Sequence, residues 1–110
     1  MNQYIITGYD YTDEGAFDRR MAVRPHHLDG AKHLKDNGNY VIGGAILNEE
    51  GKMIGSVMIL QFENDGQLKH WEQTEPYITQ KIWETYEVKP FKVAEVAQEL
   101  NSDARSSEVG

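Results

Sequence analysis

The sequence predicts an α+β fold built around one antiparallel sheet, and three of its features support that prediction. Apolar, β-branched segments typical of strands alternate along the chain with segments of helical periodicity. Polar turns rich in Gly and Asn separate these segments. Two central strands are joined by the short turn NEEGK, and a helix and an outer strand lie on either side of them. The resulting order is β-α-β-β-α-β, the ferredoxin-like arrangement.

The N-terminal half of the chain contains the first strand and the first helix. QYIITGY, residues 3–9, is apolar and β-branched and predicts a strand, and the polar segment after it becomes helical near Phe17. Pro25 suits the first turn of a helix and disfavours helical geometry at Arg24, so we place the start of the main helix at Pro25. NGN ends this helix, because Gly38 can adopt the left-handed conformation.

The C-terminal half supplies the other three strands and a second helical region. Asn64 or Asp65 is the expected cap of a helix in ENDGQLKHWEQ, and Pro76 begins a further helical turn. Pro90 in the last strand indicates a sheet edge or a bulge. The predicted strands are residues 40–47, 53–62 and 83–93.

Composition restricts the domain organisation and the classes of partner. We predict one domain at residues 1–93 and a C-terminal extension at 94–110 that is at least partly disordered. The net charge of −7 disfavours nucleic-acid binding, and the absence of cysteine excludes disulfide and thiolate chemistry. No segment reads as a signal peptide or approaches the roughly 20 apolar residues of a membrane span, so we expect a cytoplasmic protein that does not bind membranes.

Two predicted strands are apolar on both faces, which bears on assembly. An antiparallel sheet with helices on one side and water on the other alternates apolar and polar residues. VMIL, residues 57–60, does not alternate, and neither does YVI followed by AIL. Something must therefore cover the sheet face opposite the helices, and a sheet-to-sheet homodimer does so most simply. Coverage by the chain's own C-terminal tail is the alternative.

RPHHL, residues 24–28, holds two of the four histidines of the chain. For a helix that begins at Pro25, a rotation of about 100° per residue places His27 near the sheet-facing stripe with Leu28. His26 and His33 then face solvent. A half-buried imidazole needs a hydrogen-bond partner, and either a backbone carbonyl or a functional partner would satisfy it. We predict no metal site, because no histidine pair has the spacing of three or four residues that helical ligands need.

TEPY is the second candidate for a functional site. Glu75 precedes a helix-opening proline, and Thr74 can cap that helix instead, which leaves the Glu75 carboxylate free at the helix N-terminus. A carboxylate beside His27 would fix the imidazole tautomer and raise its basicity, as general-base chemistry requires. Their spacing does not show that the two side chains meet, but in this fold both helices pack on the same face of the sheet.

The motifs RPHHL, GGAI, GSVMILQF, EPY and VKPFK follow in the order seen in the YciI-like (YCII-related domain) family, and the sequence resembles that family over residues 4–92. The resemblance implies a dimeric α+β barrel, in which two ferredoxin-like sheets close on each other. It also implies an active site formed by a helical His and the Asp of a D-P-Y motif, which correspond to His27 and Glu75. Glu75 departs from that Asp, and Gly44-Ala45 stands where relatives often have Gly-Pro.

The predicted function is that of a small-molecule enzyme without a cofactor, which removes a proton next to a carbonyl in an isomerisation or elimination like that of muconolactone isomerases. His27 is the predicted base and Glu75 its orienting partner. Substrate contacts are predicted for Arg24, which can instead form a surface salt bridge, for Gly44, and for Tyr77, which can instead be core packing. The alternatives are a non-catalytic ligand-binding or regulatory module and a structural dimerisation module with a filled pocket.

Overall fold

Residues 1–96 are described by a computed structural model, and they form one sheet covered on one face by helices. The four strands are antiparallel and lie in the order β2-β3-β1-β4, which confirms the predicted ferredoxin-like α+β fold. The elements are β1 (Asn2–Asp10), α1 (Ala16–Asp36), β2 (Tyr40–Leu47), β3 (Met53–Phe62), α2 (Asp65–Glu72), α3 (Pro76–Thr79) and β4 (Trp83–Phe91). The disorder predicted for the C-terminal extension falls largely on residues 97–110, which lie outside the described part.

The core lies between the helices and one face of the two central strands. Because side chains alternate along a strand, every second residue of β1 and β3 points toward the helices. The short helices add two aromatic residues, and the start of β4 adds a third, so that large side chains fill the space. The buried apolar residues are Tyr4, Ile6, Met58, Leu60, Phe62, Leu68, Trp71, Tyr77, Ile82 and Trp83.

The helical segment predicted near Phe17 and the main helix predicted from Pro25 form one continuous helix, α1, which begins at Ala16 and has Pro25 inside it. The expectation that Pro25 begins the helix and keeps Arg24 extended is therefore wrong. Proline removes the hydrogen bond to the carbonyl four residues earlier, that of Met21. Both Pro25 and Met21 are exposed, so water can serve that carbonyl and the helix continues. The earlier start adds two turns to the face that packs on the sheet.

The ends of the other elements follow local signals in the sequence. Asn64 caps α2 by accepting a hydrogen bond from the Gln67 amide at 2.9 Å. Gly38, just after α1, has a positive φ of 78°, as the left-handed conformation requires. Pro90 lies in β4, which is an edge strand, where a missing N–H donor is tolerated.

No element within residues 1–96 covers the sheet face opposite the helices, here called the open face, and the centre of this face is apolar. Ile5 pairs with Ile59 across β1 and β3, and Ile42 of the edge strand β2 pairs with Ile59 on its other side. Ile42 is 61% exposed. The outer strand β4 contributes charged residues to this face, among them Glu87 and Lys89. The open face is thus a central apolar patch bordered on one side by charge.

Candidate functional site

His27 and Glu75 lie in contact on the helix-covered side of the sheet. The His27 Nδ1 atom is 2.7 Å from Glu75 Oε2, although 48 residues separate them in the sequence. The His27 side chain is 12% exposed and that of Glu75 only 2%, so the contact is screened little by water. An ionised carboxylate can only accept, so with Glu75 ionised this contact requires the hydrogen on Nδ1 and leaves Nε2 as the acceptor of the neutral ring.

Glu75 also caps the four-residue helix α3. Its Oε2 atom accepts a second hydrogen bond from the Tyr77 amide at 3.0 Å. The expectation that Thr74 caps this helix and leaves Glu75 free is therefore wrong, since the Thr74 hydroxyl donates to the Trp71 carbonyl instead. This cap fixes the carboxylate beside His27.

A stack of three side chains orients the imidazole. The rings of His27 and Tyr77 lie 4.0 Å apart between centroids and are tilted by only 13°. On Tyr77, the Arg20 guanidinium lies 4.6 Å from the ring centroid, within the range of a cation–π contact. Burial raises the pKa of the Tyr77 phenol above its ordinary value, with Arg20 and Arg24 opposing that shift. Tyr77 therefore stays neutral at physiological pH and restricts the rotation of the His27 ring.

Arg20 belongs to a buried polar network under α1. Its Nη1 donates to Asp10 Oδ1 at 2.8 Å, and its Nη2 donates to Ser56 Oγ at 2.6 Å. The Arg20 and Asp10 side chains are only 2% and 4% exposed. Burial raises the Asp10 pKa, while the Arg20 charge opposes that rise. Arg20 Nε and Asp10 Oδ2 are buried and find no hydrogen-bond partner among the described residues.

A cavity of about 150 Å³ opens beside these groups, between α1 and the edge strand β2. Its wall combines a histidine, two tyrosines and two arginines with backbone from β2. The alternative of a structural dimerisation module expected side chains to fill this pocket, and they leave it open. The lining residues are Arg20, Arg24, His27, Leu28, Ala31, Tyr40, Gly43, Gly44, Ala45, Ser56, Met58 and Tyr77.

A larger cleft of about 580 Å³ lies between the end of α1 and α2, and its polar lining is mostly amides such as Asn37, Asn39 and Gln67. His70 is exposed on its wall and makes no ion pair within residues 1–96. A site for chemistry needs convergent, partnered titratable groups. The smaller cavity has them, and we therefore take it as the candidate site.

The structure places four of the five predicted site residues on one cavity. Arg24, His27, Gly44 and Tyr77 line it, and Glu75 lies behind His27. The roles assigned to them stay predictions. Leu28, predicted to face the sheet, lies at the cavity margin and is 39% exposed, because α1 turns Arg20 and His27 rather than Leu28 toward the sheet.

Three polar residues near the site were missed by sequence reasoning: Asp10, Arg20 and Ser56. One signal could have found Arg20. Arg20, Arg24 and His27 are spaced four and three residues apart, which places them on one face of a continuous helix. Starting the helix at Pro25 removed Arg20 from that face. No sequence signal marks Asp10, the last residue of β1, or Ser56 as its partners.

Within residues 1–96, no group of three or more His, Asp or Glu side chains is arranged to hold a metal ion. None of the helices described is both long and apolar enough to cross a membrane.

Comparison with known sequences gives one family. Residues 3–92 match the profile of the YCII-related domain. Protein YciI of Escherichia coli O6:H1 is 32% identical over 95 residues, covering 81% of this chain and 95% of that protein. An uncharacterized protein of Haemophilus influenzae is 34% identical over 95 residues, with the same coverage of both chains.

Comparison with solved structures confirms the fold. The 5-chloro-2-hydroxyhydroquinone dehydrochlorinase of Burkholderia phenoliruptrix, in complex with 2,5-dihydroxybenzoquinone, superimposes with a TM-score of 0.71 at 19% identity, over 86% of this chain and 97% of that one. A dimeric ferredoxin-like protein of unknown function from Jannaschia gives a TM-score of 0.51 at 18% identity, over 84% of this chain and 100% of that one. At such identities the likeness concerns the fold.

Proposed function

The chain belongs to the YCII-related domain family, and we propose that the cavity beside α1 is the active site of a small-molecule enzyme without a cofactor. The proposed reaction begins with removal of a proton from a carbon next to a carbonyl. The observation that carries this proposal is the contact of 2.7 Å between His27 Nδ1 and the buried Glu75 carboxylate. A buried carboxylate that holds one ring nitrogen leaves the other nitrogen as a base of fixed orientation.

In the proposed step, His27 Nε2 takes the proton and the electron pair of the C–H bond moves into an enolate. Glu75 stabilises the imidazolium that results, as an opposite charge at hydrogen-bond distance does. Return of the proton to a different carbon completes an isomerisation. Departure of a leaving group with its electron pair from the next carbon completes an elimination. The dehydrochlorinase of the same fold supports an enzymatic role for this architecture.

Deuterium exchange tests the proton-removal step without knowledge of the natural substrate. In D₂O, we expect the protein to exchange the C–H protons next to the carbonyl in at least one member of a panel of small keto acids and lactones, monitored by ¹H NMR. His27→Gln should slow that exchange by about 10²- to 10⁴-fold, the usual contribution of a general base. Glu75→Gln, which keeps hydrogen-bonding atoms but removes the charge, should give an intermediate loss.

The exposed histidine His33 on the same helix supplies the control, and His33→Gln should exchange like the wild type. If no panel member exchanges faster than in buffer, or if His27→Gln exchanges as fast as the wild type, the catalytic proposal is wrong. Saturable binding without exchange would then favour a ligand-binding module that has no turnover.

We further propose that two chains associate through the open face of the sheet. Ile5, Ile42 and Ile59 lie there side by side, and their exposure to water in a single chain is unfavourable. A twofold axis would bring each apolar patch onto its copy, since such an interface uses the same surface twice. The dimeric protein from Jannaschia, which shares the fold, supports this assembly.

A further inference from the structure

We propose that the cavity binds a small carboxylate, with Arg24 as its principal anion contact; this deepens the proposed function by naming a substrate class. The first support is the distribution of charge. The chain carries a net charge of −7, yet the cavity lining holds two arginines and no Asp or Glu. Cations concentrated in a cleft of an acidic protein create a local field that favours an anion.

The two nearby carboxylates lie behind the lining and are already engaged. Asp10 faces Arg20 at 2.8 Å, and Glu75 faces His27 at 2.7 Å. Arg24 differs, because it takes part in none of the ion pairs found within residues 1–96. Its guanidinium is therefore the cation available to the cavity, and its planar fork fits a carboxylate.

The buried polar network supplies a second, independent observation. Arg20 lines the cavity, and its Nε donor is buried without a partner among the described residues. Because no acceptor in the described residues pairs with this N–H, its positive end adds to the potential beside the cavity, which favours an anion there. Ser56 lies on the same wall and already accepts from Arg20, which leaves its hydroxyl hydrogen free to donate. Donors thus dominate this part of the wall, as an anion site requires.

The size of the cavity limits the ligand. At about 150 Å³ it is smaller than the usual ligand pocket of about 300–1,000 Å³. A small carboxylic acid with its carboxylate on Arg24 suits that space better than a larger molecule. The corresponding substrates are small keto acids, in which the carbonyl that activates the C–H bond is close to the carboxylate.

Oxalate and oxamide provide a matched pair of probes, since they are nearly isosteric and differ in charge. In NMR titrations of the ¹⁵N-labelled protein, oxalate should shift the Gly43 and Gly44 amides and the His27 ring signals saturably, and oxamide should not. Arg24→Gln should weaken oxalate binding by about 10- to 100-fold, as expected for loss of a hydrogen bond to a charged group. Arg19→Gln, which removes an exposed arginine from the same helix, should bind oxalate like the wild type.

Three results would overturn this inference: no saturable oxalate binding, equal binding of oxamide, or unchanged affinity in Arg24→Gln. Thermal melting verifies that Arg24→Gln is folded, and Arg24→Lys, which keeps the charge but loses the fork, should be intermediate. Oxalate has no C–H bond, so its binding does not depend on proton removal. Oxalate binding without deuterium exchange would therefore refute the proposed catalysis alone, and exchange without oxalate binding would refute the carboxylate site alone.

Discussion

Replacing Arg20 by Met should lower the free energy of unfolding by about 3–5 kcal/mol, because it leaves Asp10 buried without its partner. The two side chains are almost inaccessible to water and meet at 2.8 Å. Urea unfolding monitored by circular dichroism measures the loss. In the double variant Asp10→Asn/Arg20→Met neither position carries a charge, so its loss should be much smaller than that of Arg20→Met alone.

The exposed pair on the same helix is the matched control. Arg19 contacts Asp13 at 2.7 Å, but both side chains are about half exposed, so Arg19→Met should destabilise the fold far less than Arg20→Met. If Arg20→Met costs no more than Arg19→Met, the buried network does not stabilise the fold as described.

The loss in Arg20→Met should also depend on pH. Burial raises the Asp10 pKa in the folded protein, so the folded state binds this proton more readily than the unfolded chain does. Without Arg20 the opposing cation is gone and the folded-state pKa rises further. A group whose pKa is raised by folding stabilises the folded state fully below its unfolded pKa of about 4. That stabilisation is lost as the pH rises through its pKa in the folded state. The deficit of Arg20→Met relative to wild type should therefore be smaller at pH 4 than at pH 7, and a larger deficit at pH 4 would contradict the assignment.

Replacing Ile59 by Asp should abolish the proposed dimer. Ile59 lies at the centre of the open face between Ile5 and Ile42, and a twofold interface would bury the new carboxylate twice. Burial of an unpaired charge costs several kcal/mol, so we expect dimer affinity to fall by at least about a thousandfold. Sedimentation velocity should show a wild-type dimer and a variant monomer.

Two further variants make that test decisive. Ile42→Asp changes a residue that is 61% exposed in the single chain, so it should leave folding intact while still weakening association. Gln73→Asp makes the same charge change on an exposed residue on the helix side and should remain dimeric. A wild-type monomer, or a dimer that survives both isoleucine substitutions, would contradict association through this face.

Local patterns in the sequence were sufficient to predict the sheet. Segments of β-branched residues and turn glycines have few alternatives in a short chain, so strands such as Tyr40–Leu47 and Met53–Phe62 were located correctly. The boundary placed at Pro25 was wrong, because the packing of the preceding segment outweighs the preference of proline for a first helical turn. Ala16 and Arg20 are both buried, and their tertiary contacts keep the segment before Pro25 helical.

The candidate site could be predicted only in part for the same physical reason. The orientation of His27 follows from its position around the helix. The family resemblance suggested that Glu75 is its partner. Contact between residues 48 positions apart depends on how α1 and α3 pack, which no local spacing encodes. The Asp10–Arg20 pair joins the end of a strand to a helix, so it too depends on tertiary packing and could not be predicted from local spacing.

The tautomer of His27 tests the central claim, that Glu75 holds this ring as an oriented base. Long-range ¹H–¹⁵N spectra of the imidazoles, with His27 assigned through His27→Gln, report which nitrogen carries the hydrogen, and exposed His26 and His33 serve as internal references. We predict the Nδ1–H tautomer for neutral His27 in the wild type and relaxation toward the reference pattern in Glu75→Leu, which has no acceptor. Two results would contradict this claim: a neutral wild-type His27 ring that carries its hydrogen on Nε2, or a His27 tautomer that is the same in Glu75→Leu as in the wild type.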